Sequence, residues 1–396
     1  MLNKLAIEGG VPVREKMLAY GRQSISKADI ETVMEVLNSD WLTTGPKVSE
    51  FEAQFAESVD AKYAIAVNSG TAALHTALFA AGVAPGSEVI TTPFTFVATA
   101  NVVRYLGGTV KFVDIRADTY NIDHNKIEES INKKTKAIIA VDFAGHPADF
   151  NEIKAIADKH NLIVVEDAAH SLGATYKNRK VGSLADMTTF SFHPVKHITT
   201  GEGGMIATDD AKFAAKMRAF RNHGITLDHK QREEAGSFMY DMTDLGFNYR
   251  LTDIQSALGI SQLKKLNLWV QRRREIAAMY TAAFIDYPEI ITPVTLPECE
   301  SSWHLYVVQL VLECLTVNRG QIFHALRAEN IGVNVHYIPV PWHSYYQNLG
   351  YTKGQWPIAE KLYERIISLP MWPGMSDKDI QETIIAVKKV ISAYRK

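Results

Sequence analysis

Lys196 stands inside the run SFHPVKHITTGEGG, residues 191–204, and it follows the acidic strand end Val164-Val165-Glu166-Asp167 by 29 positions, counted from Asp167. A lysine amine can bond an aldehyde carbon, and a buried carboxylate can hold a positive charge. Catalysis with pyridoxal 5′-phosphate needs that pair, an amine for the aldehyde and a carboxylate for the ring nitrogen. A lone lysine in a glycine-bearing loop is ordinarily a solvated charge, so its surroundings decide the matter.

Several neighbours in the sequence could belong to such a site. Asn68-Ser69-Gly70-Thr71 falls between a predicted strand and a predicted helix. Free N–H groups at a helix start, close approach at glycine and added hydroxyls make an anion site; alternatively Ser69 or Thr71 simply caps the helix. In Phe94-Thr95-Phe96 a ring could stack on a flat cofactor or pack in the core. Asp167 ends the most hydrophobic strand, Leu162-Ile163-Val164-Val165, where a carboxylate is costly unless a cation meets it. A protonated pyridine nitrogen about 4 Å away, at an effective dielectric near 20, would contribute roughly 4 kcal/mol. A helix cap or a lysine salt bridge would also explain Asp167. His170 could face the same site or pack. Ser191 could donate to phosphate, Gly201, Gly203 and Gly204 allow a tight turn, and Glu202 reads as structural or solvated. Each signal is weak alone; together Gly70-Thr71, Phe96, Asp167, His170, Ser191 and Lys196 all sit near predicted strand ends.

The elements that must position them alternate. Helical spacing from residue 24 is broken by Trp41-Leu42-Thr43-Thr44-Gly45-Pro46, and a second helix is predicted near 48–59. Strands are predicted at 63–67, 88–92, 109–115, 136–141, 162–166, 188–192 and 205–208, with helices at 70–81, 95–106 and 150–160. This alternation predicts an α/β fold with a largely parallel sheet covered on both faces, and a ligand site beyond the strands' carboxyl ends. A single helix over 251–279 reads as a connector. Strands at 305–312 and 333–338, a helix near 321–329 and a terminal helix from Asp377 suggest a smaller α/β domain. The predicted division is a large domain, 1–265, including the N-terminal segment, and a small C-terminal domain, 266–396.

Composition narrows the class. Hydrophobic residues at 46% and charged residues at 22% fit a globular protein, and a formal net charge of −2 gives no broad field for nucleic acid or an anionic membrane. Cys299 and Cys314 are too few for a disulfide framework or a thiolate metal site, and could form one bridge at most. No metal is expected. No apolar run approaches the ~20 residues that span a bilayer, and the first residues lack a signal-peptide core. No G-x-G-x-x-G follows a predicted strand, which argues against a dinucleotide enzyme. The expectation is a cytoplasmic protein.

Longer runs carry a resemblance. SDWLTTGP at 39–46, NSGTAALHTAL at 68–78, EVITTPFTFVATAN at 88–101, VVEDAAHSLGATYKNRKVGS at 164–183, SFHPVKHITTGEGGM at 191–205 and GFNYRLTDIQSALG at 246–259 together make the chain resemble the DegT/DnrJ/EryC1/StrS sugar aminotransferases. The resemblance implies the fold type I, aspartate aminotransferase-like architecture and a homodimer with shared active sites. It implies Lys196 bonded to the cofactor, Asp167 at the pyridine nitrogen, Phe96 on the ring, His170 near the ring hydroxyl, and Gly70, Thr71 and Ser191 on the phosphate. Asn248, otherwise read as a turn residue, would reach the partner's cofactor phosphate. Dehydrating relatives carry histidine where Lys196 stands. His197, where asparagine is more usual, is expected to alter local hydrogen bonding only.

The runs at 20–30, 331–346 and 367–377 are most similar to a subgroup that aminates UDP-4-keto-6-deoxy-N-acetylhexosamines on the route to pseudaminic acid. Thr43, Thr44 and His336 are candidates for sugar or diphosphate contacts, or else turn and core structure. The expected reaction moves an amino group from L-glutamate to the C4 ketone of such a UDP-sugar. The alternatives are another UDP- or dTDP-linked keto sugar, a sugar dehydratase, or a regulatory homologue.

Overall fold

The computed structural model describes residues 4–226 and 236–396. Seven strands form the main sheet: β1 (Tyr63–Val67), β2 (Glu88–Thr91), β3 (Thr109–Phe112), β4 (Thr135–Val141), β5 (Ile163–Asp167), β6 (Met187–Ser191) and β7 (Gly204–Thr208). Their spatial order is β1-β7-β6-β5-β4-β2-β3. Only β7 runs against the others, pairing antiparallel with both β1 and β6.

Strand residues alternate between two cores, as a period of two requires. Ala66, Ile138, Val164 and Met205 pack on one face with Phe51 and Phe55 of α2 (Pro46–Ser58) and Ile153 of the helix Phe150–His160. Val67, Ile139, Val165 and Ile206 point to the other face, under α3 (Gly70–Ala80) and α4 (Ala98–Tyr105). Burial on both faces explains why β5 reads as a continuous apolar run that ends in acids.

The connector differs from the expected single helix. Two helices occupy the region, Asp253–Leu263, opened by a Thr252/Gln255 capping box, and Leu266–Phe284. The second serves two cores: Leu266 and Val270 join the large sheet, whereas Ile276, Tyr280 and Phe284 join a third, C-terminal core. That core covers an antiparallel sheet, β8 (Ile290–Ile291), β9 (Tyr306–Leu310) and β10 (Ile366–Leu369), with helices Arg319–Ala328 and Asp377–Tyr394. Residues 333–338 do not form the expected strand. Asn334 makes an isolated bridge to Ser368, and His336 spends its Nδ1 on the Ser368 hydroxyl at 2.8 Å.

The N-terminal segment also departs from expectation. Leu5 and Leu18 pack in the C-terminal core, away from the large domain to which the sequence assigned them. The reason is a buried carboxylate. Glu329 accepts the N–H groups of Ala6 and Val13, each at 2.9 Å, and pairs with Lys389 at 2.8 Å. Backbone bonds from Leu18 to Asn330 and from Gly332 to Leu18 extend the seam. Cys299 and Cys314 are both free thiols. Among the described residues, no helix is long and apolar enough to cross a membrane, and no cluster of three metal-ligating side chains occurs.

Removing the Glu329 carboxylate would strand Lys389 in a nearly closed site. Glu329→Ala should lower unfolding free energy by about 3–5 kcal/mol, measured by urea denaturation, with early proteolysis confined to residues 4–20. Glu329→Gln, which keeps the acceptor, should lose less.

Candidate active site

The site gathers at the carboxyl ends of β1, β5 and β6. β5 ends on Asp167, which is 6% exposed. Its Oδ2 accepts the Thr99 hydroxyl at 2.7 Å and its Oδ1 the Ala169 N–H at 3.3 Å. Burial pushes the Asp167 carboxyl above its usual range, against the lowering pull of those two donors and of the Lys196 charge. A buried carboxylate with so few donors would be stabilised further by a cation such as a protonated ring nitrogen.

Lys196 comes from the loop after β6, which folds back on itself. Thr200 N–H and the Thr199 hydroxyl both donate to the Phe192 carbonyl, at 3.1 and 3.0 Å, and Lys196 N–H closes a turn onto His193. Burial pushes the Lys196 amine down to about 8; Asp167 opposes this, and Arg273 adds to it. At neutrality about a tenth of the amine is then free base, far more than for an ordinary lysine.

Gly70 and Ser191 meet across the strand ends. A Cβ on Gly70 would lie 2.8 Å from the Ser191 Cβ, so only glycine allows this approach. Ser69 is occupied as the cap of α3, accepting Ala72 N–H at 3.0 Å. Capping thus explains Ser69 and leaves the first N–H groups of Gly70 and Thr71, which have no intrahelical acceptor, beside the Ser191 hydroxyl. The three groups make a cradle for an anion at a helix start.

Of the two candidate phenylalanines, Phe94 is fully buried and Phe96 is 55% exposed, so Phe96 alone presents a free ring. Tyr337 lies beside it with ring centroids 5.8 Å apart, and its hydroxyl reaches His170 Nε2 at 3.2 Å. His170 Nδ1 accepts Ala144 N–H at 3.4 Å, which fixes the proton on Nε2. Burial, aided by the Lys196 charge, holds the His170 ring far below its usual range and uncharged.

Of the other expected residues, His336 packs on Tyr337, with ring centroids 4.9 Å apart, and the rest make contacts outside this set. His336 is buried, engages Ser368 and Asn334 through its two nitrogens, and is pushed down to about 4, mainly by burial. Thr43 bridges to Thr252, and Thr44 takes a left-handed φ of 48°, both on an exposed turn. Asn248 is exposed, pairs with Asn222, and accepts the Asn68 side-chain amide at 3.3 Å. His197 donates its Nε2–H to the Ser302 carbonyl, 3.1 Å away.

Three participants escaped the sequence reading. Thr99 lies one helical turn beyond Thr95, and the two hydroxyls are bonded at 2.9 Å; nothing in one sequence singles it out. Tyr337 is the immediate neighbour of His336, the residue chosen instead. Arg273 is one of three consecutive arginines, but the apolar stripe Ile276, Ala277, Tyr280 places it, alone of the three, on the buried face.

A model of the DegT/DnrJ/EryC1/StrS aminotransferase family matches residues 23–388, and the chain belongs to that family. It is 44% identical over 384 residues to the spore coat polysaccharide biosynthesis protein SpsC of Bacillus subtilis, covering 96% of this chain and 99% of that one. Among solved structures, Helicobacter pylori PseC, an aminotransferase involved in pseudoaminic acid biosynthesis, superposes with a TM-score of 0.90 at 37% identity, covering 96% and 100% of the two chains. The PLP-form of Spr1654, a putative sugar aminotransferase from Streptococcus pneumoniae, gives 0.89 at 32% identity, covering 95% and 99%. The fold is the type I architecture of pyridoxal-phosphate-dependent transferases. This chain is a PLP-dependent sugar aminotransferase, acting on a nucleotide sugar and an amino donor.

Two outcomes follow from the geometry. Covalent uptake of pyridoxal phosphate by cofactor-free protein should accelerate nearly tenfold per pH unit up to about pH 8 and then level off, followed by absorbance, because only the free amine attacks. Gly70→Ala, which forces the cradle apart, should weaken cofactor retention by about tenfold or more, measured by titration with the protein still folded.

Proposed function

We propose that the chain transfers an amino group from L-glutamate to the C4 ketone of a UDP-linked 4-keto-6-deoxy-N-acetylhexosamine, as a cytoplasmic homodimer with shared active sites. The observation that carries the chemistry is the Lys196 amine, lowered toward neutrality, within electrostatic reach of the buried Asp167 carboxylate. The likeness to PseC supports the sugar class.

Bound in this site, pyridoxal phosphate supplies an aldehyde carbon for amines and a ring that draws electrons from a neighbouring carbanion. Gly70, Thr71 and Ser191 would hold its phosphate at the start of α3. Asp167, oriented by Thr99, would keep the ring nitrogen protonated, which gives the ring its electron-drawing power. Phe96 would cover one face, and the His170–Tyr337 pair would fix the ring hydroxyl. When not bonded to the cofactor, Lys196 would act as a general base and take a proton from the donor's α-carbon. The same lysine would return a proton to C4 of the sugar in the second half. Asn248 would complete the partner's phosphate cradle. Thr43, Thr44 and, through its neighbours, His336 would face the nucleotide sugar.

A second reading has its own support. SpsC serves a spore coat polysaccharide, so another nucleotide-linked keto sugar is a coherent alternative substrate. Mass spectrometry of products from glutamate and a panel of UDP- and dTDP-ketosugars separates the two. The expected result is nitrogen gained by the UDP-N-acetylated sugar, with 2-oxoglutarate formed from glutamate even without sugar. Amination of dTDP sugars alone would replace the first reading by the second.

A further inference from the structure

Four threonines fall within residues 91–99, and the structure uses them in two ways. Thr91 donates to the Ile139 carbonyl at 3.0 Å, and Thr92 accepts the Phe94 N–H at 3.1 Å, so both hydroxyls serve the backbone at the end of β2. Thr95 and Thr99 do not. They bond each other at 2.9 Å, and Thr99 goes on to the Asp167 Oδ2 at 2.7 Å. A threonine in a helix commonly turns its hydroxyl back to the carbonyl four residues earlier. Thr99, in the first turn of α4, meets instead the side chain four residues earlier and a carboxylate from another strand.

The direction of the hydrogens follows from the carboxylate. An ionised carboxylate only accepts, so the Thr99 proton lies toward Asp167. The Thr99 oxygen is then an acceptor, and the Thr95 proton lies toward it. Both threonines are almost wholly buried, and among the described residues Thr95 has Thr99 as the one partner for its hydroxyl. The order Thr95 to Thr99 to Asp167 therefore satisfies both hydroxyls, and each bond polarises the next where the surroundings are poorly polar.

The chain of hydroxyls makes the two carboxylate oxygens unlike. Oδ2 holds the short bond, whereas Oδ1 receives a single N–H, from Ala169, at 3.3 Å. The Asp167 backbone is already fixed by pairing with Val141 of β4 and Thr189 of β6, which leaves the side-chain torsions to be set. Burial pushes the carboxyl upward, and the Thr99 bond leads the contacts that oppose it. Between the two threonines stands Phe96 with its free ring, so one short stretch supplies both that ring and the hydroxyls behind the carboxylate.

We propose that Thr95 and Thr99 are positioning residues that form a one-way hydroxyl relay onto Asp167, pinning Oδ2 and so reserving Oδ1 for the ring nitrogen of pyridoxal phosphate. The proposal rests on Asp167 being the residue that meets that nitrogen. It adds Thr95, which acts through Thr99. Threonine suits the task because its branched Cβ restricts the torsion that aims the hydroxyl.

The test compares pyridoxal phosphate with its 1-deaza analogue, in which carbon replaces the ring nitrogen. Each is loaded into the full-length protein, and its release on dilution is followed by absorbance. The readout is the preference, the ratio of the two release rates. Loosened packing speeds both releases alike, whereas a lost relay weakens the hold only on the cofactor that has a ring nitrogen. Thr99→Val should reduce the preference about tenfold and Thr95→Val about twofold. Thr99→Ser and Thr95→Ser, which keep the hydroxyl, should stay near the wild-type ratio. An unchanged preference in either folded valine variant overturns the relay, and so does a fall in the serine variants as large as in the valine ones. If one valine variant does not fold, the other decides by the same criteria. A wild-type protein with no preference overturns the assignment of Asp167 to the ring nitrogen, and the relay with it. A wild-type preference that survives in a valine variant overturns the relay alone.

Discussion

A carboxylate held out of water without a full complement of partners is the constraint around which this protein is arranged. Asp167 ends a strand buried on both faces, and only a hydroxyl and one N–H reach it. Such a group costs several kcal/mol until a cation arrives. The fold bears that cost because β4, β5 and β6 run parallel and release their chain ends at one edge. The loop after β6 can then bring an amine into the same volume. The cradle at the start of α3 opens at the same edge, from β1, because β7 alone reverses direction and lets β1 lie parallel to the rest.

A second acidic feature lies just behind the first. Asp142 and Glu166 are fully buried, and each accepts a hydroxyl at 2.6 Å, from Ser171 and Thr188 respectively. Burial pushes both upward, Glu166 to about 7, and the Glu166 charge adds to the rise at Asp142.

Much of this was legible in the sequence, and particular residues show why. β5 announced itself through an apolar run with acids at its tip, since burial on both faces leaves no polar alternation. Gly70 and Ser191 were recognisable as candidates, but their contact is a packing fact that no local pattern encodes. The two phenylalanines could not be told apart until the turn after β2 sent Phe94 inward and Phe96 outward. The sequence placed residues 333–338 in a strand because Val, Asn, Val, His, Tyr and Ile alternate, yet the segment's bonds go to Ser368 through side chains as well as backbone. The single predicted connector helix missed the break at Lys264-Lys265 because neither glycine nor proline marks it and the second helix has no side-chain cap. Arg273 was hidden by its two flanking arginines, although the helical stripe that buries it is visible once the helix is placed.

The seam between the N-terminal segment and Glu329 bears on how the molecule assembles. Residues 5–18 leave the ribosome well before their partners, which lie more than 300 positions later, with sequence separations of 323 and 316 at the two bonds to Glu329. Contacts so remote carry a large loop-closure entropy and form late. The large sheet can therefore organise while residues 5–18 still wait, and the helix Asp377–Tyr394, which delivers Lys389, acts as the latch that holds Glu329 and, through it, that early segment in the C-terminal core.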